Sequence, residues 1–240
     1  MGNVSPDIEE MVYGLHVIGE IKYADPPPDD AEVQDRDYPD EVFWTLKSGR
    51  KSPFYVGGRD FTSFSRNFPV AVEEQRRTRD LVVASFSELL DQQQSEYNHL
   101  VGIPEAMTCL AGLVAQFRGD SVLWMRVGEK KYGSHKSVQG HYSPDDKVTA
   151  LDNVVTDGAS KIEMIEPLVD AELRIARFDV LIDREEGGRE ALESAGYPFA
   201  AVVGMGAVTA ILADSGRITA QQQEWTSTYY EKLRNQGIIT

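Results

Sequence analysis

From about residue 99 onward, short runs rich in Val, Ile, Leu and Phe recur at 99–103, 121–126, 147–151, 178–182 and 199–203. Stretches with apolar residues at helical spacing fill the gaps, near 105–117, 160–174, 186–195 and 206–213. Near-continuous apolar runs suit strands covered on both faces, and their alternation with helices implies right-handed crossovers into a mainly parallel sheet. The fold class expected is therefore α/β. Ligands of such sheets bind at the carboxyl ends of the strands, which directs attention to the loops after Ile103, Arg126, Leu151 and Ile182.

The chain before residue 99 is less regular. Ile8, Met11, Val12, Leu15, Ile18 and Ile21 fall at helical spacing behind Ser5-Pro6-Asp7, which predicts an amphipathic helix over 7–22. Between Asp25 and Glu41 eight acids stand against Arg36 alone, with Pro26-Pro27-Pro28 and Pro39, so the segment 24–41 reads as a solvated insertion. Residues 42–56 read as two short strands joined at Gly49, a hairpin that gathers Lys47, Arg50 and Lys51 beside aromatic residues. It is either an ordinary basic turn or a seat for a planar anion. A helix is expected over about 70–93 and a terminal one over 219–235, with Trp225, Tyr229 and Leu233 on one face. One domain is expected in three parts: an N-terminal hood to residue 65, a core over 66–215, and a C-terminal helix over 216–240.

The formal net charge of −15 argues against nucleic acid and anionic membranes as partners, because both would repel the chain at long range. An anionic substrate needs a local exception. Residues 127–142 offer one, with Lys130, Lys131, His135 and Lys136 following Arg126 among Gly128, Gly133 and Gly140. The stretch is a mobile basic loop or simply a solvated one. Cys109 is the single cysteine, which leaves no intrachain disulfide and no cysteine-based metal site. No apolar run approaches the roughly 20 residues that span a bilayer, and the N-terminus lacks a signal peptide's basic and apolar regions. A soluble, cytoplasmic protein is expected.

The segment Leu151-Asp152-Asn153-Val154-Val155-Thr156-Asp157-Gly158-Ala159-Ser160 joins a strand to a helix through small residues. Gly and small side chains let backbone approach a ligand, and free N–H groups at a helix start favour an anion. A phosphate at 156–160 would have Asp152 beside it to accept from sugar hydroxyls. Gly and Asp at such a turn can equally be turn and cap residues.

Four segments then fall into one pattern. Leu46-Lys47-Ser48-Gly49-Arg50-Lys51-Ser52-Pro53, the group Arg126, Glu129-Lys130 and Tyr132-Gly133, residues 151–160, and Asp183-Arg184-Glu185-Glu186-Gly187-Gly188 occur in order along the chain. Together they resemble the orotate phosphoribosyltransferases of the type I phosphoribosyltransferase group, over roughly residues 7–210 apart from the acidic insertion. The resemblance implies the type I phosphoribosyltransferase fold, a mainly parallel central sheet flanked by helices with a small N-terminal hood. It implies transfer of phosphoribose from phosphoribosyl pyrophosphate (PRPP) to orotate in pyrimidine synthesis, through an oxocarbenium-like transition state, with Mg2+ held largely by the substrate.

Carried onto this chain, the resemblance places Thr156, Asp157, Gly158, Ala159 and Ser160 around the 5'-phosphate and Asp152 and Asn153 at the ribose hydroxyls. Arg126, Lys130 and Lys131 fall near the pyrophosphate, Lys130 being the candidate for the loop lysine that stabilises the leaving group. Lys47 and Arg184 meet the carbonyl and carboxylate edges of orotate, with Phe54 and Tyr55 beside its ring. A homodimer is implied, because in the family the loop reaches the neighbouring subunit's site. No orotidine monophosphate decarboxylase domain is expected to follow.

The chain departs from the family at Asn153, where a second acid is usual, and at Val127, where Lys is usual. It departs again at Pro104-Glu105-Ala106, where an aromatic or basic residue is common, and Lys131 replaces a common Asp. These departures keep open a weakened or inactive PRPP- or nucleotide-binding homologue with a regulatory role. A phosphoribosyltransferase for another base is the third reading, against which Lys47 and Arg184 count.

Overall fold

The computed structural model describes residues 6–27, 35, 37–60, 62–92, 96–126, 137–157 and 159–239. Helix α1 (Pro6–Val17) stops where Gly19, at φ +80°, turns the chain and the Glu20 N–H bonds back to the Leu15 carbonyl at 2.8 Å. A residue without Cβ adopts that left-handed conformation without strain, so the helix is shorter than its apolar spacing predicts. Ile21 begins a strand instead, β1 (Ile21–Tyr23).

The hairpin expected over 42–56 is likewise divided. β2 (Trp44–Thr45) pairs antiparallel with β3 (Lys51–Ser52), closed by a turn in which Gly49 sits at φ +83°. Pro53 has no N–H to give a ladder. Beyond it β4 (Phe54–Val56) pairs with β1, Tyr23 opposite Phe54. These two small ribbons form the hood.

The core alternates as expected: α2 (Val72–Gln92), β5 (His99–Gly102), α3 (Thr108–Arg118), β6 (Val122–Met125), β7 (Val138–Gln139), β8 (Lys147–Val155), α4 (Ala159–Met164) and α5 (Glu166–Asp170). It continues with β9 (Arg174–Asp183), α6 (Gly188–Ser194), β10 (Phe199–Gly204), α7 (Met205–Asp214) and α8 (Ala220–Asn235). Six strands form one sheet in the order β10-β9-β8-β5-β6-β7, parallel except for the edge strand β7. β8 runs four residues past the expected 147–151, so Asp152 and Asn153 lie inside the strand, paired along β9 as far as Val155 opposite Asp183. The helical stretch near 160–174 is two short helices, because Pro167 supplies no N–H and is tolerated only at the start of α5. Among the described residues no helix is long and apolar enough to cross a membrane.

Each face of the sheet has its own core. Met11, Leu15, Val82, Phe86, Leu110, Val114, Val208 and Leu212 from α1, α2, α3 and α7 cover one face. Ile165, Leu168 and Leu192 cover the other against Val148, Ala150, Phe178 and Val180. Each such side chain contributes about 1.5–3 kcal/mol on burial, whereas an exposed ion pair such as Arg77–Glu10 is screened by water, so apolar packing holds the layers together. α8 closes the molecule: Phe54 of the hood packs on Tyr229 and Tyr230, and Trp225 donates from Nε1 to the Asp37 carbonyl at 2.6 Å.

The chain leaves β5 for β6 on one side and later returns to β8 on the other. Crossovers that depart in opposite directions open a crevice at the carboxyl ends of β5 and β8, the place where α/β sheets bind ligands.

Candidate functional site

Two loops flank that crevice. After β5 the chain folds back on itself, with the Met107 N–H donating to the Ile103 carbonyl at 3.1 Å, and Gly102 is required because a Cβ there would collide with the Met107 carbonyl. Glu105 is exposed on this turn and Ala106 half-buried. After β8 come Thr156, half-buried, and Asp157, exposed; Ala159 and Ser160 open α4. Gly188 brings the next loop in close, since its Cβ would stand 2.6 Å from the Thr156 carbonyl oxygen, and the Arg184 N–H donates to the Val155 carbonyl at 3.1 Å. The loops after β8 and β9 are therefore one packed unit.

Asp152 is 2% exposed, and its Oδ1 accepts the Asn153 N–H at 2.7 Å. Successive strand residues point to opposite faces, which separates these two neighbours. Asn153, expected at the ribose, is turned to the hood, where its Nδ2 donates to the Gly57 carbonyl. Its one assigned carboxamide bond is thus internal to the chain. Arg126 ends β6, its N–H bonded to the Ser137 carbonyl, and its Nη1 is buried with no hydrogen-bond partner among the described residues. Lys130, Lys131, Val127 and Gly158 lie outside the described residues.

On the hood, Lys47 is exposed in the turn between β2 and β3. Tyr55 is 38% exposed and lies beside Trp44, ring centroids 6.0 Å apart. Phe54 reaches no exposed surface. Strand alternation turns it inward, where it is fully buried among Tyr23, Tyr229 and Tyr230. Arg184 is likewise engaged within the chain. It is 3% exposed, its Nε donates to Glu186 Oε1 at 2.7 Å, its Nη2 donates to Ser52 Oγ at 2.9 Å, and its guanidinium lies 4.4 Å from the centre of the Phe54 ring. One N–H of the guanidinium expected to meet a carboxylate ligand thus goes to Glu186, which also accepts from Arg50 at 2.6 Å. A buried Arg50–Glu186–Arg184 bridge thus ties the hood to the carboxyl end of β9.

Two acids that sequence reasoning missed, Glu186 and Glu20, build the hood attachment. Glu20 is 6% exposed; its carboxylate accepts the N–H groups of Gly58 and Asp60, the latter at 2.7 Å. No local signal marks the attachment, because the hood contacts of the two acids join residues 38 and 136 positions apart along the chain. Burial raises the Asp183 carboxyl above the usual range, opposed by the Glu185 N–H and Arg189, and burial together with Glu186 pushes the Tyr229 hydroxyl up to about 12. At neutral pH Tyr229 therefore stays protonated beside Glu186. The carboxyl end of β8 thus meets the hood through the Asn153–Gly57 contact, with Lys47 and Tyr55 exposed on the hood.

A parallel sheet with its switch point between β5 and β8, capped by an antiparallel hood, is the type I phosphoribosyltransferase fold. The UMP synthase of Leishmania donovani shares it, with a TM-score of 0.73 at 23% identity over 93% of this chain and 42% of that one. In sequence the chain is 31% identical over 161 residues to the orotate phosphoribosyltransferase of Methanocella arvoryzae, covering 67% of this chain and 83% of that protein. It belongs to the orotate phosphoribosyltransferase family. It is also 28% identical over 178 residues to the UMP synthase of Caenorhabditis elegans, covering 74% of this chain and 34% of that protein. The chain spans about a third of the length of the UMP synthases it matches. No protein-family model matches it.

Proposed function

We propose that this chain is an orotate phosphoribosyltransferase, breaking the bond between ribose C1 and pyrophosphate in PRPP and joining C1 to N1 of orotate, to give orotidine 5'-monophosphate and pyrophosphate. The observation that carries the reading is the meeting of the carboxyl end of β8, at Asn153, with Gly57 just beyond the hood strand β4, beside the topological switch point. Thr156, Asp157 and the start of α4 hold the 5'-phosphate, and Asp152 faces the ribose. Positive charge grows at C1 as the bond breaks, and a fixed carboxylate in a water-poor crevice stabilises it without reorganising. Arg126 takes the pyrophosphate, joined by Lys130 and Lys131. Lys47 and Tyr55 meet the base, while Arg184 supports that surface from inside through Ser52 and Phe54.

The donor set also fits Mg2+ held chiefly by oxygens of the substrate, since hard carboxylate oxygen suits that ion and Asp152 is the carboxylate nearest the ribose on β8. Bound there, Mg2+ would neutralise charge on the departing pyrophosphate. Two copies are proposed to join through α3 and β6, whose outer surface is apolar.

One assay decides the reading: loss of orotate absorbance with purified chain, PRPP and Mg2+. Turnover is expected, and Arg126→Ala should lower kcat about 100-fold, the usual effect of losing one transition-state donor. A specific observation favours a second reading, a PRPP-binding homologue of low activity. Asn153 serves the hood, which leaves Asp152 as the acid at the ribose, and one missing charge-assisted contact is worth about 1.5–3 kcal/mol. PRPP binding by calorimetry without turnover would establish it.

A further inference from the structure

Two consecutive glycines carry the chain from the hood toward the core, and they thread between two buried polar side chains. On one side Glu20 accepts the N–H groups of Gly58 and Asp60, while its own carbonyl accepts the Gly57 N–H at 2.7 Å. On the other side Asn153, 7% exposed, donates to the Gly57 carbonyl. Neither glycine tolerates a side chain: a Cβ on Gly57 would collide with the Glu20 carboxylate, and one on Gly58, at φ +90°, would stand 2.7 Å from Asn153 Cβ. The clamped segment follows β4 directly, one residue beyond Val56 and two beyond Tyr55. Asn153 sits on β8 next to Asp152.

From this geometry we infer that Asn153 and Glu20 are positioning residues that clamp Gly57–Asp60 and so fix the base-bearing strand of the hood in register with the ribose-bearing strand of the core. The inference rests on the proposed transfer to orotate. Reaction between two bound partners depends steeply on their mutual placement, so a joint between the two half-sites acts on the rate even though neither clamp residue touches the reacting atoms. The chemistry of position 153 follows. A carboxamide offers both an N–H donor and a neutral charge; a carboxylate offers only acceptors and would face the Gly57 carbonyl with a second buried acid, Glu20, across the strand. Adding the acid that the family resemblance suggests should therefore weaken this chain.

The test compares wild type, Asn153→Asp and Asn153→Ala in orotate turnover, PRPP binding by calorimetry, and amide hydrogen exchange resolved at Gly58 and Asp60. Both variants are expected to lose about 10- to 100-fold in kcat/KM for orotate, Asn153→Asp the more, with exchange at the two amides faster by a similar factor. PRPP affinity is expected to stay within about threefold, a split that a general loss of stability would not produce. Turnover of Asn153→Asp equal to or above wild type would overturn the inference, as would unchanged exchange at both amides. If Asn153→Asp does not fold, Asn153→Ala, which adds no charge, decides by the same readouts. If the wild-type chain shows no turnover, the proposed reaction fails and exchange alone judges the clamp.

Discussion

Glu186 shows how one buried side chain is used twice. It is fully buried, and it satisfies Arg184, 4% exposed, as well as Arg50, 21% exposed. Removing it strands the Arg184 charge in the interior, and breaking a buried pair from one side costs about 3–5 kcal/mol. Glu186→Ala should lower the free energy of unfolding by that amount in urea titrations, while Glu193→Ala on the exposed i,i+4 pair with Arg189 should change it by less than about 0.5 kcal/mol. Equal effects would show that the bridge carries no special share of stability. At this scale the sequence was legible where chemistry is local. Lys47 stands in the hairpin turn that the spacing predicts. It was silent on the contacts of Arg184, Asn153 and Phe54, whose partners are set by tertiary placement: an Arg two residues before a Glu does not announce that the two will meet in the interior.

Among the elements, α8 is the one on which the hood depends most. Its first turn is closed by a capping box, with Thr219 accepting the Gln222 N–H while the Gln222 side chain accepts the Thr219 N–H at 2.9 Å. From there Gln222 reaches the Ala24 carbonyl, Trp225 the Asp37 carbonyl, and Tyr229 and Tyr230 the Phe54 ring. Thr219→Ala leaves orphan N–H groups at the helix start and should cost about 1 kcal/mol, seen as a lower unfolding midpoint with an unchanged denaturant slope. A changed slope would mean that the hood separates as a unit of its own. The core elements were readable because apolar periodicity dictates them: every strand expected after residue 99 is present in the sheet. The hood was not, because its strands are two or three residues long and their pairing was decided by Gly19 and Pro53, single residues that end one pattern and begin another. β7 was hidden inside a stretch read as a basic loop.

For the whole molecule, the proposed dimer requires that a chain of net charge −15 meet a second copy. α3 buries Leu110, Ala111, Val114 and Ala115, yet its outer stripe of Cys109, Gly112, Leu113 and Phe117 is also uncharged, with Phe117 65% exposed. On β6, Val122 is 41% and Trp124 53% exposed, pointing away from Leu123 and Met125 and hence toward the α3 side of the sheet. Gly112 adds an independent sign. A Cβ there would meet nothing among the described residues, so no described contact requires glycine at a helix interior where it costs about 1 kcal/mol relative to Ala. The proposed dimer would supply a reason, a close approach from outside. Large side chains beside a shallow gap suit a two-fold interface, in which each copy's Phe117 or Trp124 can enter the space over the other's Gly112. Trp124→Glu should then raise the dimer dissociation constant about 30-fold or more in sedimentation velocity, with circular dichroism unchanged. Because like-charged copies repel, association of the wild-type chain should strengthen as salt rises from about 50 to 500 mM, the reverse of an interface built on ion pairs. A wild-type chain that stays monomeric at micromolar concentration and high salt would remove the dimer from the proposed function and leave this apolar face without its partner.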